Sequence, residues 1–272
     1  MSEPQFLAHR GTWRHTVESP YVGAPAVVEV LLPDRLDPAR RHRVLYVLPV
    51  EAGDNSAQFT FGDGLMEVRR LDLHNRHGLV CVSPHFDTLP WYGAHSDNPL
   101  IRHEDHLTRV VVPLIDQCHP VIARPGGRLL LGFSKSGWGA FTLILRNPGV
   151  FGYAASWDAP LMLTEEAFGV FGTSGHFGTR ENFARYLPAT LMQDHAAAFR
   201  GAERLVLTGF AAFGPEPRAR YHGPPHVVAA HDRMVALGIP HAYNNDIRKH
   251  HHWESGWVAP VAELLVAMAE RG

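Results

Sequence analysis

Residues 129–138 of this chain read LLLGFSKSGW. A run of three leucines enters a turn of small residues, and the helical pattern AFTLILR follows at 140–146. A strand, a tight turn and a helix in this order are typical of a nucleophile elbow, G-x-S-x-G, which presents a serine hydroxyl between two elements. Ser136 stands where the second glycine is expected, and it is small enough for such a turn. The pattern predicts that Ser134 is a nucleophile; the alternative is a serine that only caps a helix.

Short apolar runs recur along the chain and alternate with helical patterns. We predict strands at 26–32, 44–48, 79–82, 128–131, 153–157, 204–207 and 241–243, and helices at 64–73, 107–118, 137–146, 226–237 and 258–271. This alternation predicts a three-layer α/β sandwich with a mainly parallel central sheet. No helical pattern separates the first two strands, which predicts an antiparallel N-terminal edge. Ligands of such sheets bind beyond the carboxyl ends of the strands.

Length and composition favour one ordinary globular domain. The 272 residues are expected to form a single domain, 1–272, in which the segment 159–201 either caps a pocket or packs as an irregular excursion. With 19% charged residues and a net charge of -2, the chain has no basic block that predicts binding to nucleic acid or a membrane. Neither a leader nor a membrane-spanning run is recognisable, and Cys81 and Cys118 are predicted to be small core residues. We therefore expect a cytoplasmic protein, of undefined oligomeric state.

A serine nucleophile needs a base that takes its proton, and the expected chain order is serine, acid, histidine. Three adjacent histidines, His250, His251 and His252, follow the last predicted strand. Their position predicts the base, but the spacing does not choose among them. A short histidine tract can also bind zinc.

The acid that orients this base is expected just after a strand. Asp158 directly follows the strand at 153–157 and is our first candidate, with Glu216 as the second. The alternative for Asp158 is a turn cap ahead of Pro160.

Several segments together resemble the putative-esterase family of α/β-hydrolases, which includes esterase D, feruloyl esterases and mycolyltransferases. They are LDPARRHRVLYVLP at 36–49, PWY at 90–92, HEDHL at 103–107, VPLI at 112–115 and GFSKSGWGAFTLILRNPGVFGYAASWD at 132–158. His251 and Trp253 resemble the family's H-x-W ahead of the last helix, which implies His251 as the base. The likeness covers most of the chain and implies an α/β-hydrolase fold.

This chain departs from the family pattern at the oxyanion hole and at the acid. Where many members carry His-Gly, it has the segment PVE, so the second oxyanion N–H is expected from Val50 or Glu51, beside that of Lys135. A Glu51 carboxylate aimed at the oxyanion would oppose catalysis, whereas one turned away would order the loop. The usual aspartate after the strand at 204–207 is missing, which favours Asp158 as the acid.

Aromatic residues are concentrated near the predicted strand ends. Trp91, Tyr92, Trp138 and Trp157 are expected to line a partly aromatic substrate pocket, although such residues often only pack loops onto a core. The remaining histidines form no strong metal motif, so no metal is expected, and His103 and His106 are predicted to lie in solvent.

The leading hypothesis is a serine hydrolase that cleaves carboxylic esters of small molecules through an acyl-enzyme, without a cofactor. Acyl transfer or amide hydrolysis on the same residues is an alternative. A non-catalytic α/β-hydrolase scaffold is another, because the altered oxyanion loop and displaced acid are what a degenerate site would show. A metallohydrolase that uses the histidine tract is the third.

Overall fold

The computed structural model describes residues 3–23, 25–53, 60–209 and 224–272. Their strands form one nine-stranded sheet in the order β1-β2-β3-β5-β4-β6-β7-β8-β9. The strands are β1 Gln5–Leu7, β2 Thr12–Val17, β3 Ala26–Leu31, β4 Val44–Val47, β5 Val80–Pro84, β6 Arg128–Phe133, β7 Tyr153–Trp157, β8 Leu205–Thr208 and β9 His241–Asn244. The pairs β1–β2, β2–β3 and β3–β5 are antiparallel, and the pairs from β5 through β9 are parallel.

The predicted antiparallel edge is confirmed, but it contains different strands from those expected. It consists of β1, β2 and β3, whereas β4 lies inside the parallel part between β5 and β6. We did not predict β1 and β2. β2 alternates between buried and more accessible residues, and β1 is largely exposed, so neither has the continuous apolar run of a covered strand.

Helices flank the sheet on both sides. They are α1 Gly64–Arg70, α2 Leu73–Arg76, α3 His103–His106, α4 Val112–Cys118, α5 Ser134–Arg146, α6 Thr173–Phe177, α7 Arg180–Ala184, α8 Pro188–Phe199, α9 Pro224–Ala236 and α10 Val258–Arg271. A π-helical turn, Leu107–Val111, joins α3 to α4 directly before Pro113. Pro113 has no N–H for the regular helical bond, and the helix accommodates this with the wider π-helical turn.

The central strands are buried on both faces, which gives the molecule two hydrophobic layers. In β6, Leu130 belongs to the layer under α4, α5, α8 and α9, while Leu129 and Leu131 belong to the layer under α1, α2 and α10. Successive side chains of a strand point to opposite faces, so an uninterrupted apolar run satisfies both layers. The predicted three-layer α/β sandwich is thereby confirmed.

Three predictions about burial are wrong. His103 and His106 have no exposed surface, because α3 faces inward and their rings lie against Phe86, at centroid distances of 4.2 and 6.1 Å. Cys118 is exposed, since it is the last residue of α4 and the helix has left the core there. Cys81 is buried in β5, as predicted.

The segment 159–201 contains no strand and folds into short helical turns followed by α6, α7 and α8. It packs on the loop that follows β5: the Trp91 indole N–H donates to the carbonyl of Phe171 at 3.1 Å, and the Ser96 N–H donates to that of Phe177 at 3.1 Å. This part of the chain therefore lies beside the carboxyl ends of the strands. Of the helices in the described ranges, none has the length and apolar character needed to cross a membrane.

Candidate active site

The turn between β6 and α5 holds Ser134 in a left-handed backbone conformation, with φ of +51°. Residues with a side chain rarely adopt this conformation, and it persists only where the surroundings impose it. A Cβ at Gly132 would lie 2.3 Å from the carbonyl oxygen of Ser136, so only glycine lets the strand and the helix approach this closely. The local geometry is that of a nucleophile elbow.

Ser136, which replaces the second glycine of the motif, is fully buried and supports the turn. Its Oγ accepts the N–H of Phe133 at 3.1 Å and donates to the carbonyl of the same residue at 3.0 Å. The hydroxyl therefore closes the elbow from inside. Of the two serines in the motif, Ser134 is the half-buried one.

His251 and Asp158 meet beyond the strand ends. The Nδ1 of His251 donates to Oδ2 of Asp158 at 3.1 Å, and the two side chains are 9% and 0% exposed. The imidazole ring lies 4.9 Å, between centroids, from the ring of Phe133, which directly precedes Ser134. The bond of Nδ1 to the carboxylate fixes the neutral tautomer in which Nε2 is the proton-accepting nitrogen.

The backbone fixes Asp158 where β7 ends. Its φ is +54°, and its N–H donates to the carbonyl of Thr208 at 2.9 Å. A Cβ at Gly209 would lie 2.5 Å from the Asp158 nitrogen, so there is no room for a side chain at this position. Gly209 directly follows β8, the strand after which the family usually carries its acid. Burial raises the pKa of Asp158, and the hydrogen bond to His251 partly opposes this rise.

The other candidates for base and acid are placed differently. His252 packs its ring on Gly62 and accepts the N–H of Glu254 at 3.2 Å. His250 is exposed. Glu216, the second candidate for the acid, lies outside the described residues.

The loop after β4, which carries Val50 and Glu51, is tied down at both ends. The Tyr92 hydroxyl donates to the carbonyl of Pro49, and the Gly53 N–H donates to the carbonyl of Phe86 at 2.8 Å. His85 Nδ1 contacts the Gly53 carbonyl oxygen at 3.0 Å and donates to it. Sequence reasoning missed these supports, because residues far apart in the chain make them.

The Glu51 carboxylate is engaged with backbone groups. Its two oxygens accept the N–H groups of Thr60 and Phe61, each at 2.9 Å. Of the two orientations considered from the sequence, this is the one that orders the loop. In the described part of the chain, the N–H groups of Val50 and Glu51 have no hydrogen-bond acceptor. Lys135 lies in the first turn of α5, where N–H groups have no intrahelical acceptor.

The four aromatic residues predicted for the pocket lie beneath the site. Tyr92, Trp138 and Trp157 have no exposed surface, and Trp91 is 1% exposed. Trp91 packs edge-on against Trp138 with ring centroids 5.2 Å apart, while Trp157 lies 6.0 Å from the His251 ring. They support the residues at the strand ends, and only motion of the loops above would bring them into contact with a substrate.

Within the described ranges, no group of three or more histidine, cysteine, aspartate or glutamate side chains is arranged to hold a metal ion. The tract at 250–252 is no exception: His251 bonds to Asp158, His252 packs on Gly62 and His250 is exposed.

A mainly parallel sheet with an antiparallel edge, flanked by helices and carrying a serine elbow at the carboxyl end of a central strand, is an α/β-hydrolase fold. The sequence matches the family described as “Putative esterase” over residues 19–200, and the chain belongs to that family. It is a serine hydrolase that cleaves carboxylic esters. A comparison with curated proteins found no match.

Solved structures share the fold at low sequence identity. A ferulic acid esterase is 17% identical with a TM-score of 0.68, and the match covers 95% of this chain and 98% of that one. An S-formylglutathione hydrolase from Staphylococcus aureus is 14% identical with a TM-score of 0.70, over 95% and 98% of the two chains. A substrate-bound, fluorophosphonate-binding serine hydrolase from the same organism is 14% identical with a TM-score of 0.65, over 94% and 97%.

Proposed function

We propose that Ser134, His251 and Asp158 are the catalytic triad of this esterase. His251 takes the proton of Ser134 as the hydroxyl attacks the ester carbonyl, and it then protonates the leaving alcohol. A water activated by the same nitrogen hydrolyses the acyl-enzyme. Asp158 holds the imidazole in the required tautomer and stabilises its cation. The observation that carries this proposal is the 3.1 Å bond from His251 to Asp158 beside the Ser134 elbow.

The oxyanion hole is proposed to consist of the N–H of Lys135 and that of Val50 or Glu51. Two observations support these donors: they have no acceptor among the described residues, and hydrogen bonds hold the loop after β4 in place. Preorganised donors of this kind lower the barrier because they do not reorient as charge develops. The Glu51 carboxylate is held by Thr60 and Phe61, which keeps it from competing as an acceptor.

The substrate is proposed to be a small-molecule ester that binds between the loop after β5 and the segment 159–201. The chain is proposed to form a single domain, 1–272, in which this segment caps the substrate pocket. The hydrogen bond from the Trp91 indole N–H to the Phe171 carbonyl supports this role, because it joins the segment to the loop after β5. A cytoplasmic location is also proposed. Its support is that Cys81 and Cys118 are both free thiols, as is usual in a reducing compartment.

A fluorophosphonate probe tests the nucleophile most directly. The wild-type protein is expected to be labelled on Ser134, and Ser134→Ala to be unlabelled, as read by gel fluorescence and by mass spectrometry of the labelled peptide. Ser174→Ala is the control, since it removes an exposed serine hydroxyl of α6 that does not support the elbow, and it is expected to keep the label. An unlabelled wild-type protein, with a control hydrolase labelled in parallel, would instead favour the non-catalytic scaffold.

A further inference from the structure

Lys135 directly follows Ser134 in the first turn of α5, and its side chain extends over Trp91. Its Nζ lies 5.8 Å from the centroid of the Trp91 ring. Trp91 is almost fully buried, and its indole N–H donates to the carbonyl of Phe171 at 3.1 Å, so the aromatic surface is fixed. A lysine ammonium over an indole face gains a cation–π attraction, which favours this position over free motion in solvent.

This ammonium has no anionic partner in the described part of the chain. Lys135 makes no hydrogen bond there and has no carboxylate oxygen within ion-pair distance. Glu51 is the carboxylate that acts on its pKa, but both Glu51 oxygens already accept the N–H groups of Thr60 and Phe61. Among the described residues, the three N–H donors of this ammonium are therefore unmatched.

The described surroundings of Lys135 penalise its charge, and none of their carboxylates forms an ion pair with it. Burial lowers the pKa of Lys135 to about 8, and the attraction of Glu51 opposes this only in part. Burial lowers the pKa of the His176 imidazole to about 3, and the charge of Lys135 adds to this, so His176 is neutral at pH 7. At that pH the lysine is mostly protonated but poorly compensated.

We infer that Lys135 recognises a carboxylate on the acyl part of the substrate, so that this esterase prefers half-esters of dicarboxylic acids over neutral esters. The inference rests on the proposed function of Ser134. An ammonium one residue from the nucleophile binds a carboxylate that a short chain separates from the ester carbonyl. Binding offsets the desolvation of both charges and positions the carbonyl for attack. A neutral acyl chain leaves the ammonium unpaired.

Two substrates with the same leaving group test the inference: mono-p-nitrophenyl glutarate, which is anionic, and its methyl ester, which is neutral. The measured quantity is the ratio of kcat/KM for the anionic over the neutral substrate. In the wild type this ratio is expected to be about tenfold or more in favour of the anion. It is expected to fall with added salt, and again as Lys135 loses its proton above about pH 8.

Lys135→Met keeps the length and helix propensity of the side chain but removes the charge, and it is expected to lower the ratio about tenfold. Lys135→Arg, which keeps the charge, is expected to retain most of the preference. Free glutarate is expected to inhibit the wild type competitively and Lys135→Met at least about tenfold more weakly. The substitution could also disturb the backbone N–H of residue 135, the proposed oxyanion donor. Such an effect lowers kcat/KM for both substrates and cancels in the ratio. The thermal midpoint of each variant shows whether it is folded.

Two results would overturn the inference. One is a wild-type ratio near one; the other is a ratio that Lys135→Met leaves unchanged. Suppose that one of these results is found while the neutral ester is still cleaved and the fluorophosphonate still labels Ser134 in the same preparation. Only the role of Lys135 then fails. If neither cleavage nor labelling occurs, the proposed function fails as well.

Discussion

Ser134 and Asp158 share an uncommon backbone conformation. Their φ angles are +51° and +54°, and they occupy the first positions after the adjacent parallel strands β6 and β7. Such conformations in residues with a side chain cost about 1–3 kcal/mol and cluster at functional sites. In both cases the turn, and not the strand, sets the direction of the side chain. Two strained residues at the carboxyl ends of neighbouring central strands are consistent with the proposed catalytic pair.

At the residue scale, Asp158→Asn is expected to lower kcat by about 10⁴-fold, because the amide favours the wrong tautomer of His251. Asparagine tolerates a left-handed conformation, so the backbone is expected to persist. The rate of p-nitrophenyl ester hydrolysis and the thermal midpoint measure the two effects. Asp246→Asn changes an exposed carboxylate two residues beyond β9 and is expected to leave kcat within about twofold. Retention of kcat in Asp158→Asn would remove Asp158 from the triad.

Sequence reasoning at this scale predicted backbone geometry where a local pattern sets it. The elbow around Ser134 is visible because small residues must stand at fixed offsets from it. His103 and His106 show the opposite case: nothing in HEDHL distinguishes a solvated helix start from one packed on Phe86. The burial of a polar side chain depends on which distant element covers it.

At the element scale, α5 and the loop after β5 are joined through Tyr92 and Gly139. Tyr92 is fully buried with φ of +55°, and its hydroxyl donates to the carbonyl of Pro49 in the proposed oxyanion loop. A Cβ at Gly139 would lie 2.1 Å from the Tyr92 ring. The absent side chain in α5 therefore makes room for the ring that holds the oxyanion loop.

Gly139→Ala is expected to destabilise the protein by about 1–3 kcal/mol, because the new methyl group would overlap the buried ring of Tyr92, which cannot move away. In an unobstructed helix the same change would instead stabilise by roughly 0.5–1 kcal/mol, so the sign is diagnostic. Urea denaturation measures the free energy of unfolding. Gly149→Ala is the matched control: a Cβ there meets nothing within 4 Å, and stability is expected to change by less than about 0.5 kcal/mol. Equal effects of the two substitutions would contradict this account.

For the molecule as a whole, histidines buried in the neutral form link stability to pH. His103, His106 and His176 are buried together, and burial lowers the pKa of His106 to about 4 and that of His176 to about 3. In the unfolded chain these groups titrate near 6.5. Between about pH 6.5 and 4, unfolding therefore takes up protons, and stability falls as the pH falls.

The free energy of unfolding is accordingly expected to be lower at pH 5 than at pH 7, by up to about 1.4 kcal/mol per pH unit for each proton taken up. Urea denaturation at a series of pH values measures the slope. His106→Gln is expected to make this slope shallower, because about one proton fewer is taken up on unfolding. His250→Gln, at an exposed position, is expected to leave the slope unchanged. Stability independent of pH between 5 and 7 would contradict the neutral burial of this cluster.

The sequence alone determined the class of fold and the position of the turn between β6 and α5, and it predicted the region of the base. The parallel core was predictable because strands covered on both faces need continuous apolar runs, as β6 shows, and the elbow because its small residues serve local contacts. The edge strands β1 and β2, the burial of His103 and His106, and the engagement of Glu51 were decided by tertiary structure. So were the hydrogen bond from His251 to Asp158 and the placement of Lys135 over Trp91 without an ion-pair partner among the described residues. Each of these depends on which distant groups are brought within a few ångströms, and sequence spacing does not carry that information.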